Sequence, residues 1–261
     1  MSITDEGEYG DKQIRFLETI WGEGFLSPGG VEEIDLVIDG LDLKGKTILD
    51  IGCGCGGAAF HLIRQHGAAH VTGIDVEKLV IDRARELTVQ YGLDASAEFT
   101  CVEPGPLPFA DNSMDVIFSK DAFLHIPDKE SLMQDCARVL RPGGIIAASD
   151  WMRIDDNPPS PQMQDYIKSE GLDMHMCSLD RYRQAMEKAG FEDIGLRDRN
   201  EWYHRRAIEE VAQLKGPLRA EIVGLVGEKD ADEVTAIWEK MVGVLGLGEH
   251  RPGHFRARLA A

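Results

Sequence analysis

The sequence predicts an α/β fold of the Rossmann-like, doubly wound kind, with a mostly parallel seven-stranded sheet and helical insertions as lids. Three observations predict it. Short apolar, β-branched runs alternate with helix-patterned stretches, as in βαβ units. The first clear run, Thr47–Ile51, enters a turn with glycines at 52, 54, 56 and 57. The run His70–Ile74 ends directly before a lone carboxylate, Asp75.

Taken in order, residues 1–40 are patterned as helix and form an N-terminal lid. The core then alternates strand Thr47–Ile51, helix Ala58–His66, strand His70–Ile74, helix Glu77–Tyr91, and strands Ala97–Val102 and Met114–Ser119. Helix Lys129–Leu140 and strand Gly144–Asp150 follow, with Pro142-Gly143 between them as a tight turn. Strands Ile194–Arg199 and His254–Leu259 complete the seven. Two stretches break the alternation: residues 152–177, rich in proline and methionine, and residues 200–248, which read as two acidic-basic helices. The helical pair is a surface element or a dimer face, giving a monomer or a homodimer. In an open α/β sheet the ligand lies beyond the carboxyl ends of the strands, so insertions after strands four, five and six roof one crevice.

Composition bounds the class. A chain of 261 residues, 43% hydrophobic, buries one sizeable core. The expected organisation is a single elaborated domain: N-terminal helical lid 1–40, Rossmann-like core 41–151 holding the glycine turn, and residues 152–261 completing the sheet and carrying the helical insertions. No apolar run reaches ~18 residues, Met1 to Asp11 is acidic and polar, and no basic amphipathic stretch appears, which argues against a membrane or a signal peptide. A net charge of −18 argues against a nucleic-acid partner, since phosphate contacts need a basic surface. Cys53, Cys55, Cys101, Cys136 and Cys177 show neither a disulfide framework nor zinc spacing, so a cytoplasmic location and no metal are expected. Cys53 and Cys55 sit within the glycine turn as small fillers.

The turn and its following carboxylate point to an adenosine-containing ligand. Glycines there admit positive φ and close backbone approach, and Asp75 is placed to accept from both ribose hydroxyls. Gly52, Gly54 and Gly57 also satisfy the dinucleotide G-x-G-x-x-G spacing, so spacing alone leaves two ligand classes open. Asp50, just before the first glycine, separates them. A carboxylate there repels a pyrophosphate but pairs with a cationic aminoacyl group, which favours S-adenosyl-L-methionine.

Three stretches carry a likeness beyond the turn: Tyr9; Trp21 through Gly30 (Trp-Gly-Glu-Gly-Phe-Leu-Ser-Pro-Gly-Gly); and Phe118 through His125 (Phe-Ser-Lys-Asp-Ala-Phe-Leu-His). With the donor loop, the chain resembles the class I S-adenosylmethionine-dependent methyltransferases, and within them the phosphoethanolamine N-methyltransferases. The resemblance implies that Leu26 and Ser27 belong to a lid over the donor and that Asp50 with Gly52, Gly54 and Gly56 holds its methionine part. It further places Asp75 and Val76 at the ribose and adenine, Glu103 and Pro104 beside the adenine, and Lys120 among the donor contacts. It pairs Tyr9 with His125 as catalytic residues, with Asp121 nearby.

The chemistry reaches His125 independently. Methyl transfer from a sulfonium is an in-line displacement, so the protein mainly positions the nucleophile. A protonated amine must first lose a proton, which calls for a base titrating near neutrality, and His125 lies on a short loop at the carboxyl edge of strand four. Asp121 is placed to hold a substrate cation, to orient the imidazole, or to cap the short helix that follows.

One departure concerns the acceptor. Where the family carries an arginine and a tyrosine for a phosphate dianion, residues 169–176 read Ser-Glu-Gly-Leu-Asp-Met-His-Met, and Trp151 stands in place of a tyrosine. Trp151 offers a cation a π face, so Trp151, Asp121 and Tyr9 are the expected acceptor contacts. His175, Arg181, Tyr203, His204, Arg205, His250 and Arg251 are left as partners for an acceptor carboxylate. N-methylation of a small, phosphate-free amine or amino acid is therefore expected. Phosphoethanolamine, S-methylation of a thioether or thiol near Met152, Met163, Met174 and Met176, and a non-catalytic donor-binding role are the alternatives.

Overall fold

The computed structural model describes residues 10–261. Two helices lead, α1 (Asp11–Trp21) and α2 (Gly30–Val37), followed by β1 (Thr47–Ile51), α3 (Gly57–His66), β2 (His70–Asp75), α4 (Lys78–Tyr91), β3 (Ala97–Cys101) and β4 (Met114–Lys120). A 3-10 turn at Phe123–His125 leads to α5 (Lys129–Val139) and β5 (Leu140–Asp150), then α6 (Pro161–Glu170), α7 (Leu179–Lys188) and β6 (Phe191–Asp198). Helices α8 (Asn200–Lys215), α9 (Arg219–Val226) and α10 (Glu228–Gly246) precede β7 (Gly253–Leu259).

The seven strands form one sheet in the order β3-β2-β1-β4-β5-β7-β6. β1 to β5 pair in parallel, while β7 runs antiparallel to both its neighbours. After β3 the chain crosses back to start β4 beside β1. The order therefore reverses at the β1/β4 boundary, and a crevice opens beyond their carboxyl ends. Period-two alternation in β1 sends Ile48 to the face covered by α2, α3 and α4, and Leu49 to the face covered by α5 and α7.

A third apolar cluster lies off the sheet. Phe16 and Leu17 of α1, Met163 and Tyr166 of α6, Tyr203 of α8 and Trp238 of α10 pack together into a roof. The N-terminal extension is tied to the sheet by a buried polar set: Glu33 of α2 accepts from Arg199 Nε and Nη2 at 3.0 and 2.8 Å and meets His254 Nε2 at 2.6 Å. Burial alone would raise the Glu33 carboxyl, but the bonds to His254 and Arg199 hold it down at about 2.

Three sequence expectations need correction. β5 begins at Leu140, because Leu140 already pairs with Met114 and a bulge in that pairing absorbs the turn expected at Pro142-Gly143. β6 begins at Phe191, three residues before the expected Ile194, because β7 reaches back to pair with it. Residues 200–248 form three helices, broken at Gly216-Pro217 and at Gly227, whose φ is +92°. Among the described residues, no helix is long and apolar enough to cross a membrane.

Candidate active site

The glycine turn is shaped by steric need. Gly52, Gly54 and Gly56 have φ of +69°, +51° and +85°, and a Cβ on Gly52 would lie 2.2 Å from the Ala122 Cβ. Gly52 and Cys53 both donate backbone N–H bonds to the Ile74 carbonyl, which fixes the turn against β2. The buried cysteines carry no acid chemistry here, since burial raises the Cys53 and Cys55 thiols far above their ordinary range.

Asp50 and Asp75 flank this turn differently. Asp75 Oδ2 accepts from Gly54 N at 3.0 Å and Oδ1 from Glu77 N at 3.0 Å. A carboxylate has about four lone-pair sites, so acceptor capacity is left for a diol. Asp50 is 1% exposed, and its Oδ2 has no hydrogen-bond partner. Burial, followed by the nearby Asp75 charge, pushes its carboxyl up to about 7. A buried carboxylate with one unpartnered oxygen in a glycine cradle fits a ligand that brings its own cation, as an aminoacyl ammonium does. Val76 is half exposed, and Val102 N donates to the Asp75 carbonyl, so the exposed Glu103 and Pro104 follow beside Asp75.

The loop from Trp21 to Gly30 closes over this cradle. Leu26 lies on Gly54, 3.2 Å from where a Cβ would stand, and Gly57 N donates to the Gly24 carbonyl at 3.1 Å. Gly24 N in turn donates to Glu18 Oε1 at 2.8 Å. A Cβ on Gly57 would come within 2.7 Å of the Gly24 oxygen. Gly57→Ala is therefore expected to lose about 1–3 kcal/mol of stability. It should also free the loop, read as faster limited proteolysis between residues 21 and 30.

The structure gives Lys120 and Asp121 definite partners. Lys120 Nζ donates to Ser27 Oγ and, at 2.8 Å, to Asp121 Oδ2, with both charged side chains almost fully buried. Lys120 thus fastens the loop to the end of β4. Asp121 has φ +55°, and its Oδ1 accepts from Ser149 Oγ at 3.2 Å and from Tyr203 OH at 3.5 Å. It neither caps the 3-10 turn, whose N-cap is Ala122, nor bonds His125. Orientation of the imidazole comes from elsewhere.

His125 Nδ1 lies 2.9 Å from the Asp173 backbone carbonyl. A carbonyl only accepts, so Nδ1 carries the proton and Nε2 bears the neutral ring's lone pair. The turn beneath it is clamped: Leu124 N donates to Asp150 Oδ1 at 3.1 Å, Lys129 Nζ donates to the Phe123 carbonyl, and His175 N donates to the Leu124 carbonyl at 2.7 Å. Tyr9 lies outside the described residues.

His125, Asp121, Leu26, Ser27 and Trp151 line one cavity of about 380 Å³ beneath the roof helices. Among the described residues its charged lining comprises three carboxylates, Asp121, Glu170 and Glu233, against one lysine, Lys168, and no arginine. Burial pushes the Glu170 carboxyl up to about 7. The lining also includes Phe16, Trp21 and Trp238, which sequence reasoning did not single out because only folding brings α1 and α10 together. None of the basic or tyrosine side chains held open as carboxylate partners lines it. Arg181 pairs with Glu130, Arg251 with Asp198, and His250 is fully buried with its ring against Trp151. Of the four methionines, only Met174 reaches the lining, while Met152 and Met163 are buried core. Among the described residues, one set has metal-ligand chemistry, Asp35 with His61 and His66 on α2 and α3, and none of the three lines the cavity.

Comparison with known proteins agrees with this architecture. A family model described as a methyltransferase domain matches residues 42–204. A phosphoethanolamine N-methyltransferase of Triticum aestivum is 33% identical over 96% of this chain and 48% of its own length, so the chain spans about half the length of that curated relative. A glycine/sarcosine/dimethylglycine N-methyltransferase of Actinopolyspora halophila is 32% identical over 72% of this chain and 33% of its own length. Among solved structures, Haemonchus contortus phosphoethanolamine N-methyltransferase 2, in complex with phosphomonomethylethanolamine and S-adenosylhomocysteine, superposes with a TM-score of 0.89 at 23% identity. That match covers 98% of this chain and 60% of the other. With a glycine-turn α/β sheet in place and the family model matched over more than half its length, this chain belongs to the methyltransferase domain family.

Proposed function

We propose that this chain is an S-adenosylmethionine-dependent methyltransferase that methylates the nitrogen of a small amine lacking a phosphate. The observation that carries the acceptor class is the cavity beside His125, whose lining among the described residues holds no arginine and one lysine, while its carboxylates Asp121 and Glu233 pair with Lys120 and Lys229 outside the lining and Glu170 has no basic partner there. A phosphate dianion calls for a basic cradle, and an ammonium calls for the opposite.

The donor supplies an electrophilic methyl group on a sulfonium. Asp50 and the cradle of Gly52, Gly54 and Gly56 hold its aminoacyl end, and Asp75 takes the ribose. Val76 provides an apolar face for the adenine, with Glu103 and Pro104 beside it. Leu26 and Ser27 cover the site, and Lys120 holds that cover down through Ser27. His125 Nε2 takes the proton that the acceptor ammonium must lose, while Trp151 steadies the acceptor nitrogen and Asp121, held by Lys120, Ser149 and Tyr203, lines the same cavity. Lys168 pairs with a carboxylate on the acceptor. Tyr9 is assigned to the same acceptor end by likeness alone.

A second reading, methylation of phosphoethanolamine, is favoured by the name and 33% identity of the wheat relative. Labelled methyl transfer from S-adenosylmethionine, followed by mass spectrometry, separates the two. Glycine, sarcosine, dimethylglycine, ethanolamine and phosphoethanolamine form the acceptor set. Transfer to a phosphate-free amine at least tenfold above phosphoethanolamine is the expected result, and the reverse ratio overturns the acceptor class.

A further inference from the structure

The roof contains a polar arrangement that packing alone does not call for. Glu210 of α8 is 1% exposed, and it accepts from the indole nitrogens of Trp21 at 2.8 Å and Trp238 at 3.0 Å. Burial raises its carboxyl against the lowering effect of these two bonds and of Arg206, whose Nε lies 3.4 Å from Oε1. Burying a carboxylate costs several kcal/mol before partners are found, so an apolar residue would fill the same space more cheaply. What the carboxylate adds is orientation. Two indoles on different helices are locked together, with ring centroids 5.8 Å apart and planes 32° apart. Phe16 stands edge-on to Trp238 at 5.9 Å and 89°.

All three rings line the acceptor cavity together with Trp151, and the carboxylates of Glu233 and Glu170 share that lining. Aromatic rings among carboxylates suit a cation of low hydration, and methylation of an ammonium progressively lowers its hydration. Resting on the methyl-donor reading above, we propose that Phe16, Trp21, Trp151 and Trp238 form an aromatic cage for a methylated ammonium, with Glu210 as the positioning residue for two of the indoles. The chemical class this selects is a secondary or tertiary amine acceptor and its more highly methylated product, in preference to a primary amine.

The test is binding, read by tryptophan fluorescence with and without S-adenosylhomocysteine. The probes are choline, its uncharged carbon isostere 3,3-dimethyl-1-butanol, and ethanolamine. Choline is expected to bind at least about tenfold more tightly than either of the others, the range a desolvated cation–π contact supports. Trp238→Leu should reduce that ratio to below about threefold, whereas Trp238→Phe, which keeps a ring, should retain most of it. Glu210→Gln leaves only one carbonyl oxygen for two indole donors and should lower the ratio while S-adenosylhomocysteine affinity holds. Equal binding of choline and its isostere overturns the cage, as does tighter binding of ethanolamine than of choline. Loss of the methyl-donor reading would show separately, as failure to bind S-adenosylhomocysteine in the same titration.

Discussion

His125→Ala is expected to lower kcat by about 10²- to 10³-fold, within the span of a lost general base, while S-adenosylhomocysteine affinity changes less than about threefold. The two effects separate because His125 lines the acceptor cavity and the donor cradle is built from β1 and β2. The imidazole also anchors the Asp173 carbonyl through Nδ1, so a loss of activity could arise from a released loop. His125→Asn distinguishes the two causes. Its side-chain amide can still donate to that carbonyl, but it accepts no proton near neutrality. Equal losses in both variants, measured by single-turnover methyl transfer, assign proton removal to His125. Recovery of activity in the asparagine variant would leave the histidine only an anchoring role. A thioether acceptor would need no deprotonation and would show little loss in either.

The grouping of Asp50, the glycines and Asp75 could be read from sequence because its parts are local. Asp50, the glycines and Asp75 sit at the ends of two adjacent parallel strands, and strand alternation with glycine spacing is enough to put them together. The sheet was legible for the same reason, and its errors fell where pairing overrides local punctuation: β7 recruits Phe191 into β6, and Leu140 pairs with Met114 ahead of a proline-glycine pair. The cavity beside His125 resisted because it is assembled from helices far apart in the chain. Trp21 and Glu210 are 189 positions apart, and no spacing rule joins them. Asp121 shows the same limit at short range. Its position one turn before His125 suggests a contact, but its left-handed backbone turns the carboxylate toward Lys120, Ser149 and Tyr203 instead.

Asp50→Asn should make the ligand-free protein more stable and the donor complex weaker. The wild-type carboxyl is held near 7 in the folded chain against an ordinary 3.8, because it is buried, its Oδ2 has no partner, and the Asp75 charge is near. Well below pH 3.8 the group is protonated in both folded and unfolded chains and costs nothing. The penalty grows as pH rises from there, and it is complete above about 7, where it reaches about 4 kcal/mol as an upper bound. The variant's gain in Tm should therefore be several degrees at pH 8 and shrink as pH falls toward 4. Affinity should move the other way. Pairing with an ammonium requires the ionised carboxylate, so wild-type affinity for S-adenosylhomocysteine should rise between pH 6 and 8. The asparagine variant should bind about 10- to 100-fold more weakly at pH 8, with that rise abolished, as expected for a lost charge-assisted bond. Calorimetric titration at three pH values, alongside thermal melts, reads both effects in one protein. A variant that melts lower than wild type, or that binds the donor product equally well, would make Asp50 a structural carboxylate and leave the aminoacyl end of the donor to the glycine backbone alone.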